Sequence, residues 1–215
     1  MAVMQVKVFT RFERFWHWSQ AFLVLVLIGS GLGLHGVHHL MKYGDMLTLH
    51  VAGAVGLVVL WLFAIFWHLT TGQWRHYLPT LQGLGPILRF YTLGIFRGDP
   101  HPFRKTLRRK HNALQALTYL MLKLVLFPVI WASGTMLLTY DLWHQRPWAT
   151  AGLEAIATIH TAAAFVMIAF LIMHVYVITT GHTVGDQLRT MITGWDEMDL
   201  DDAEAAVLRR DGAVR

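Results

Sequence analysis

The sequence predicts an all-α integral membrane protein, a four-helix transmembrane bundle. Three observations carry that prediction. The 215 residues are 55% hydrophobic and only 14% charged, where soluble domains carry about a quarter charged. Four apolar runs, 15–34, 46–69, 113–138 and 155–180, each hold about 20 residues or more, and at 1.5 Å per residue each covers the roughly 30 Å hydrocarbon core. The runs lack the alternation and turn signals of barrel strands, so helices must satisfy the backbone inside lipid. The chain contains no cysteine, which excludes disulfides, thiolate zinc, cysteine-held iron–sulfur clusters and covalently attached haem. Any metal cofactor must be held by histidine.

The first span follows Lys7, Arg11 and Arg14. A secretory leader would show the same basic flank, but no A-x-A-like cleavage site follows, so the span is expected to be retained. A short loop with Lys42 leads to the second span. The long loop after it carries eight basic residues: Arg75, Arg89, Arg97, Arg104, Lys105, Arg108, Arg109 and Lys110. The third loop has only Arg146, whereas the C-terminal tail adds Arg189, Arg209, Arg210 and Arg215. The positive-inside rule then predicts cytoplasmic termini and a cytoplasmic basic loop between helices 2 and 3, with the loops near 35–45 and 139–153 outside. Lipid headgroups account for the cluster at 104–110, and no nucleic-acid partner is expected. Within the long loop, 81–96 mixes Leu, Ile, Phe and Tyr with glycine and Arg89, as a helix lying in the interface does. The membrane domain is read as 1–195. Residues 196–215 are read as an acidic cytoplasmic tail, solvated and weakly ordered, because seven of the residues from Asp196 to Asp211 are acidic.

The chemistry lies in the histidines. A lone imidazole in an apolar helix is usually a packing residue, yet ionisable groups inside the bilayer are expensive and raise a functional reading. Of 13 histidines, four fall into pairs. His160 and His174 are 14 residues apart on the fourth span, about 21 Å along the axis and on one face. With the predicted topology, His17 matches His174 at the inner level, and His50 matches His160 at the outer level. Two bis-imidazole sites stacked across the membrane suit six-coordinate haem iron, and haem held without cysteine is b-type. Small residues one turn beyond the ligands, Gly53 with Ala54 and Ala163 with Ala164, would admit a flat macrocycle or serve ordinary helix packing. Gly29, Gly31 and Gly33 carry the same ambiguity. Met121, Met167 and Met173 are read as apolar filling. Lys123, about ten residues into the third span, needs a counter-charge such as a haem propionate, a quinone oxygen, or a snorkelling path to water. The outer cluster His35, His38 and His39 is read as exposed or partner-facing rather than as a metal site.

Several motifs resemble one family: Arg14-Phe-Trp-His17-Trp, His50 with Gly53, Lys110-His-Asn112-Ala-Leu-Gln115, His160, His174-Val-Tyr176, Gly181-His-Thr183 and Met191-Ile-Thr-Gly194-Trp195. Over residues 9–198 the chain resembles the di-haem cytochrome b subunits of formate dehydrogenase (gamma subunit) and thiosulfate reductase, within the wider prokaryotic cytochrome b561-like superfamily. The resemblance implies two b-type haems with the pairs His17/His174 and His50/His160. It also implies a periplasmic iron–sulfur or multihaem cytochrome partner, exchange with menaquinone or ubiquinone near the inner haem, and a multi-pass location in the bacterial inner membrane. It implies quinone contact at Asn112, near Gln115. An Asn opening a helix is also a good N-cap. His111 departs from the family, whose members often carry an aromatic there. The expected function is an electron-transfer subunit of a respiratory oxidoreductase. A histidine-based transporter or metal-handling protein, and a purely structural membrane anchor, are the rivals.

Overall fold

The computed structural model describes residues 2–74, 81–99, 112–179, 185–200, 202–210 and 213–214. The basic cluster at 104–110, His111 and the Gly181-His-Thr183 motif lie outside the described residues. In chain order the elements are strand β1 (Ala2–Lys7), helices α1 (Arg11–Leu34) and α2 (Tyr43–Thr71), the short helix α3 (84–97), helices α4 (Ala113–Leu138), α5 (Ala149–Ile178) and α6 (Asp186–Thr193), strand β2 (Trp195–Leu200) and helix α7 (Asp202–Arg210). Among the described residues, α1, α2, α4 and α5 are long and apolar enough to cross a membrane. Their large side chains stand outward, as at Phe22, Leu62, Phe66, Leu124 and Ile172, each more than 60% exposed. A water-facing surface of that kind would be unstable, whereas lipid accepts it. The expected bundle class and spans hold, and the chain is a multi-pass membrane protein.

Helix α1 begins at Arg11, ahead of the apolar run from 15, because a polar cap extends it. Thr10 opens α1 with a capping box: its hydroxyl accepts from Glu13 N, and Glu13 Oε2 accepts from Thr10 N at 2.7 Å. Asn112 opens α4 the same way with Gln115. Gly72, in the left-handed region at φ 71°, closes α2. Helix α4 is not regular throughout, since Leu122–Leu126 form a π-turn that contains Lys123. The expected loop helix is present over 84–97, with Ile87 and Phe90 buried and a π-turn at Phe90–Gly94. In the loop expected to lie outside, the indoles of Trp143 and Trp148 stack at 5.1 Å beside Tyr140, as aromatic residues do at a membrane surface.

The described chain divides into two compact units. One unit holds β1, α1, α2, α6, β2 and α7; the other holds α3, α4 and α5. In the first, α1 packs on α2 at close range: a Cβ on Gly53 would meet Leu27 and Val26 at 3.5 Å, and one on Gly56 would meet Leu23 at 3.5 Å. The ring of Phe12 lies on Trp67 at 4.4 Å and against Phe63 at 5.5 Å.

One expectation is corrected in this unit. The segment after Trp195, expected to be solvated and weakly ordered, forms β2 and α7. Strand β2 pairs antiparallel with β1 in a register that sets Met4 opposite Met198 and Val6 opposite Asp196. Residues two apart share a face, so Val6, Met198 and Leu200 point one way, and Ala205 and Leu208 from α7 close over them; all five are buried. Glu197 takes the position between Asp196 and Met198, on the other face of β2. Gly194 joins this small core to the start of α1. At φ 87° its carbonyl accepts from both Val8 N and Phe9 N, and a Cβ there would stand 2.6 Å from Phe9 O. Only glycine fits.

Candidate functional site

His50 lies near the start of α2 and faces α1. Its Nδ1 is 3.0 Å from Ser30 Oγ, and Ser30 Oγ is 2.7 Å from Val26 O. A carbonyl can only accept, so the single hydroxyl proton of Ser30 goes to Val26 and the oxygen accepts from His50 Nδ1–H. That selects one tautomer: the proton is on Nδ1 and the ring lone pair on Nε2. The next residue, Gly31, lies beside the same ring, where a Cβ would be 3.4 Å from His50 Cε1. Gly31 is thus a site glycine, whereas Gly53 serves the helix contact. Gly29 offers its carbonyl to His38 Nε2 at 2.8 Å.

The other unit repeats the arrangement. His160 Nδ1 on α5 is 3.0 Å from Ser133 Oγ on α4, and Ser133 Oγ is 2.6 Å from Val129 O. A Cβ on Gly134 would be 3.1 Å from His160 Cε1. The same tautomer follows by the same reasoning.

His17 occupies the other end of α1 from Ser30. Thirteen residues separate them, about 20 Å along the axis. Because His50 sits at the level of Ser30, His17 and His50 mark two levels of the first unit. In the second unit the unbroken helix α5 carries both His160 and His174, about 21 Å apart along the axis. The His174 ring stacks on Phe170 at 5.6 Å, and the His17 ring meets Trp18 edge-on at 5.2 Å. Around His17 the first and last recognition motifs come together. Arg14 Nη1 donates to Ile192 O and Trp18 Nε1 donates to Met191 O at 3.3 Å, which places a cation on the C-terminal carbonyls of α6.

His68 was passed over in the sequence reading, although it lies within the expected span 46–69. It is buried, its Nδ1 is 2.7 Å from Ala64 O, and the rings of Trp16 and Trp67 stand edge-on to it at 5.4 and 5.0 Å. Counting every histidine inside a span would have found it.

Asn112 is 2% exposed. Its Oδ1 accepts from Gln115 N at 2.8 Å and Gln115 Oε1 accepts from Asn112 N at 3.0 Å. The cap is therefore formed, and the Nδ2 amide is the part of the carboxamide it does not use. Lys123 sits in the π-turn of α4, and such turns within α-helices are frequent at functional positions. Among the described residues no three His, Cys, Asp or Glu side chains form a group that could hold a metal ion. His35 and His39 are exposed. Met167 is buried, while Met121 and Met173 are more than half exposed on the spans.

The family model described as prokaryotic cytochrome b561 matches residues 8–194. The Escherichia coli (strain K12) protein named "Putative cytochrome YdhU" is 27% identical over 205 residues, covering 89% of this chain and 74% of that protein. No solved structure matches. The family match takes in all four spans and every candidate histidine, and the chain belongs to the prokaryotic cytochrome b561 family, a family of membrane proteins that bind b-type haem and transfer electrons.

Proposed function

We propose that this chain is the membrane electron-transfer subunit of a respiratory complex, holding two b-type haems between a periplasmic redox partner and the quinone pool. The observation that carries the reading is the matched spacing. Each unit presents histidines at two levels, separated by about 20 Å in one and about 21 Å in the other, which supports the pairs His17/His174 and His50/His160.

The residues fit such a group. At His50 and His160 the Nδ1 proton is engaged by serine, so the lone pair is on the nitrogen that can ligate iron. The glycine beside each ring keeps the adjoining backbone clear of side chains. A bis-imidazole b haem supplies one-electron exchange at its iron without binding oxygen. The chain supplies ligation, burial and orientation. Arg14 and Trp18 fix the inner end of α1 to α6, holding His17 in place. The Asn112 amide and the Lys123 ammonium are proposed as contacts for menaquinone, ubiquinone or a propionate. The charge distribution supports cytoplasmic termini, with the quinone reached from that side and an iron–sulfur or multihaem subunit docking outside. The bacterial inner membrane is the location this implies.

The test is a reduced-minus-oxidised spectrum of the purified chain, with haem counted against protein. About two b haems per chain are expected, and His160→Ala should remove one component while leaving the other. A colourless wild-type protein overturns the proposal.

A further inference from the structure

We propose that Ser30 and Ser133 are positioning residues that set the tautomer and ring orientation of His50 and His160, the ligands proposed for the outer haem, and tune its potential. This rests on the reading of His50 and His160 as ligands. It goes beyond that reading in assigning a role to two residues that no motif marks.

The geometry is the same twice. In each hairpin a serine on the first helix gives its only proton to the carbonyl four residues back, Val26 or Val129, at 2.7 and 2.6 Å. Each then receives the imidazole Nδ1 at 3.0 Å. The serine oxygen is held by its own helix and does not rotate freely, so it fixes the plane in which the imidazole can donate. The residue after each serine is a glycine lying against Cε1 of the same ring, at 3.4 Å for Gly31 and 3.1 Å for Gly134 measured to a built Cβ. Serine thus defines where each ring points, and at His160 the glycine also defines how near the ring can come. Two independent helix pairs with different loop lengths arrive at one Ser-Gly/His arrangement, which general small-residue packing does not require.

The chemistry follows from what a ligating imidazole does with its second nitrogen. A hydrogen bond from Nδ1–H to an acceptor makes the imidazole a stronger electron donor and favours the ferric state. A hydroxyl is a milder acceptor than a carboxylate. Its loss should still raise the midpoint potential and let the ring turn. The inner-level histidines are placed differently: His17 meets Trp18 edge-on and His174 stacks on Phe170. The serine effect should therefore be confined to the outer haem.

The experiment compares Ser30→Ala, Ser133→Ala, the double variant, and Ser30→Thr and Ser133→Thr in the full-length protein. The readouts are potentiometric titration of the b bands and the low-spin ferric EPR signal. The outer haem is identified as the component that His160→Ala removes. Both alanine variants should raise the potential of that component and shift its largest g value, with the double variant moving further. The threonine variants, which keep the hydroxyl, should stay near wild type. Loss of the outer haem in an alanine variant with retention in its threonine counterpart would also support the inference. Unchanged potential and g values in the double variant would overturn it while the haem reading stands. Equal damage from alanine and threonine would overturn it too, since volume alone would then explain the effect. Absence of b bands from the wild type would instead remove the reading beneath it.

Discussion

Gly134 lies against the ring of His160 so closely that a Cβ built on the glycine stands 3.1 Å from His160 Cε1. The equivalent distance from Gly31 to His50 is 3.4 Å, an ordinary van der Waals separation. The small difference decides the outcome of adding one methyl group. Gly134→Ala must push the imidazole or the helix by a few tenths of an ångström, an overpacking cost of about 1–3 kcal/mol, and it should lower haem occupancy. Gly31→Ala should be close to neutral. Haem per chain and thermal melting in the same detergent check both, and equal behaviour of the two variants would refute the steric account.

Asn112 has two roles that can be separated by choosing the replacement. Alanine removes the cap and should cost about 1 kcal/mol. Serine caps nearly as well as asparagine but has no amide group. Asn112→Ser should therefore melt near wild type while quinone-dependent oxidation of the b bands slows severalfold, if the Nδ2 amide contacts quinone. Wild-type rates in Asn112→Ser would leave Asn112 as a cap alone.

The strand-and-helix core at the ends of the chain should be separable from haem binding. Leu200 is 1% exposed and packs with Val6, Met198, Ala205 and Leu208. Leu200→Ala removes buried methyl groups at a cost of about 2–5 kcal/mol, more than so small a core can absorb. Amide exchange in β1 and β2 should rise sharply in this variant. The b-band spectrum should remain, because no candidate ligand lies in those strands. A fall in haem content on Leu200→Ala would show that this core holds the first span in place.

What could be read from the sequence follows the physics of each signal. The four spans were visible because lipid demands about 20 consecutive apolar residues, and His17, His50, His160 and His174 stood out as ionisable groups within or at the ends of such runs. Helical rise then gave the spacing of His160 and His174 along one helix. The serine contacts were not visible, because Ser30 and Ser133 look like ordinary small residues until the facing helix is known. Gly31 and Gly53 could not be told apart for the same reason. The order after Trp195 was hidden because the strand that completes it is Ala2–Lys7, at the far end of the chain, while the acidic residues between the buried positions imitate a solvated tail. His68 lies inside the second apolar run and was legible by the same signal as those four histidines.

The π-turn in α4 explains a mismatch between the two hairpins and makes the last prediction. Ser30 stands 20 residues after the capping residue Thr10, and Ser133 stands 21 after Asn112. The π-turn Leu122–Leu126 lies between Asn112 and Ser133 and takes up one residue without turning the rest of the helix out of register. Ser133 consequently reaches the same register relative to its cap as Ser30. Deleting Leu124, which is 66% exposed, should convert the turn to regular α-helix and leave the Ser133–His160 contact and haem content near wild type. Deleting Leu25 from α1, also exposed, removes a residue where no π-turn can compensate. It should rotate Ser30 by about 100° relative to the capped end. Haem content should fall in the Leu25 deletion and persist in the Leu124 deletion; the reverse order would mean that the π-turn serves Lys123 rather than the register of Ser133.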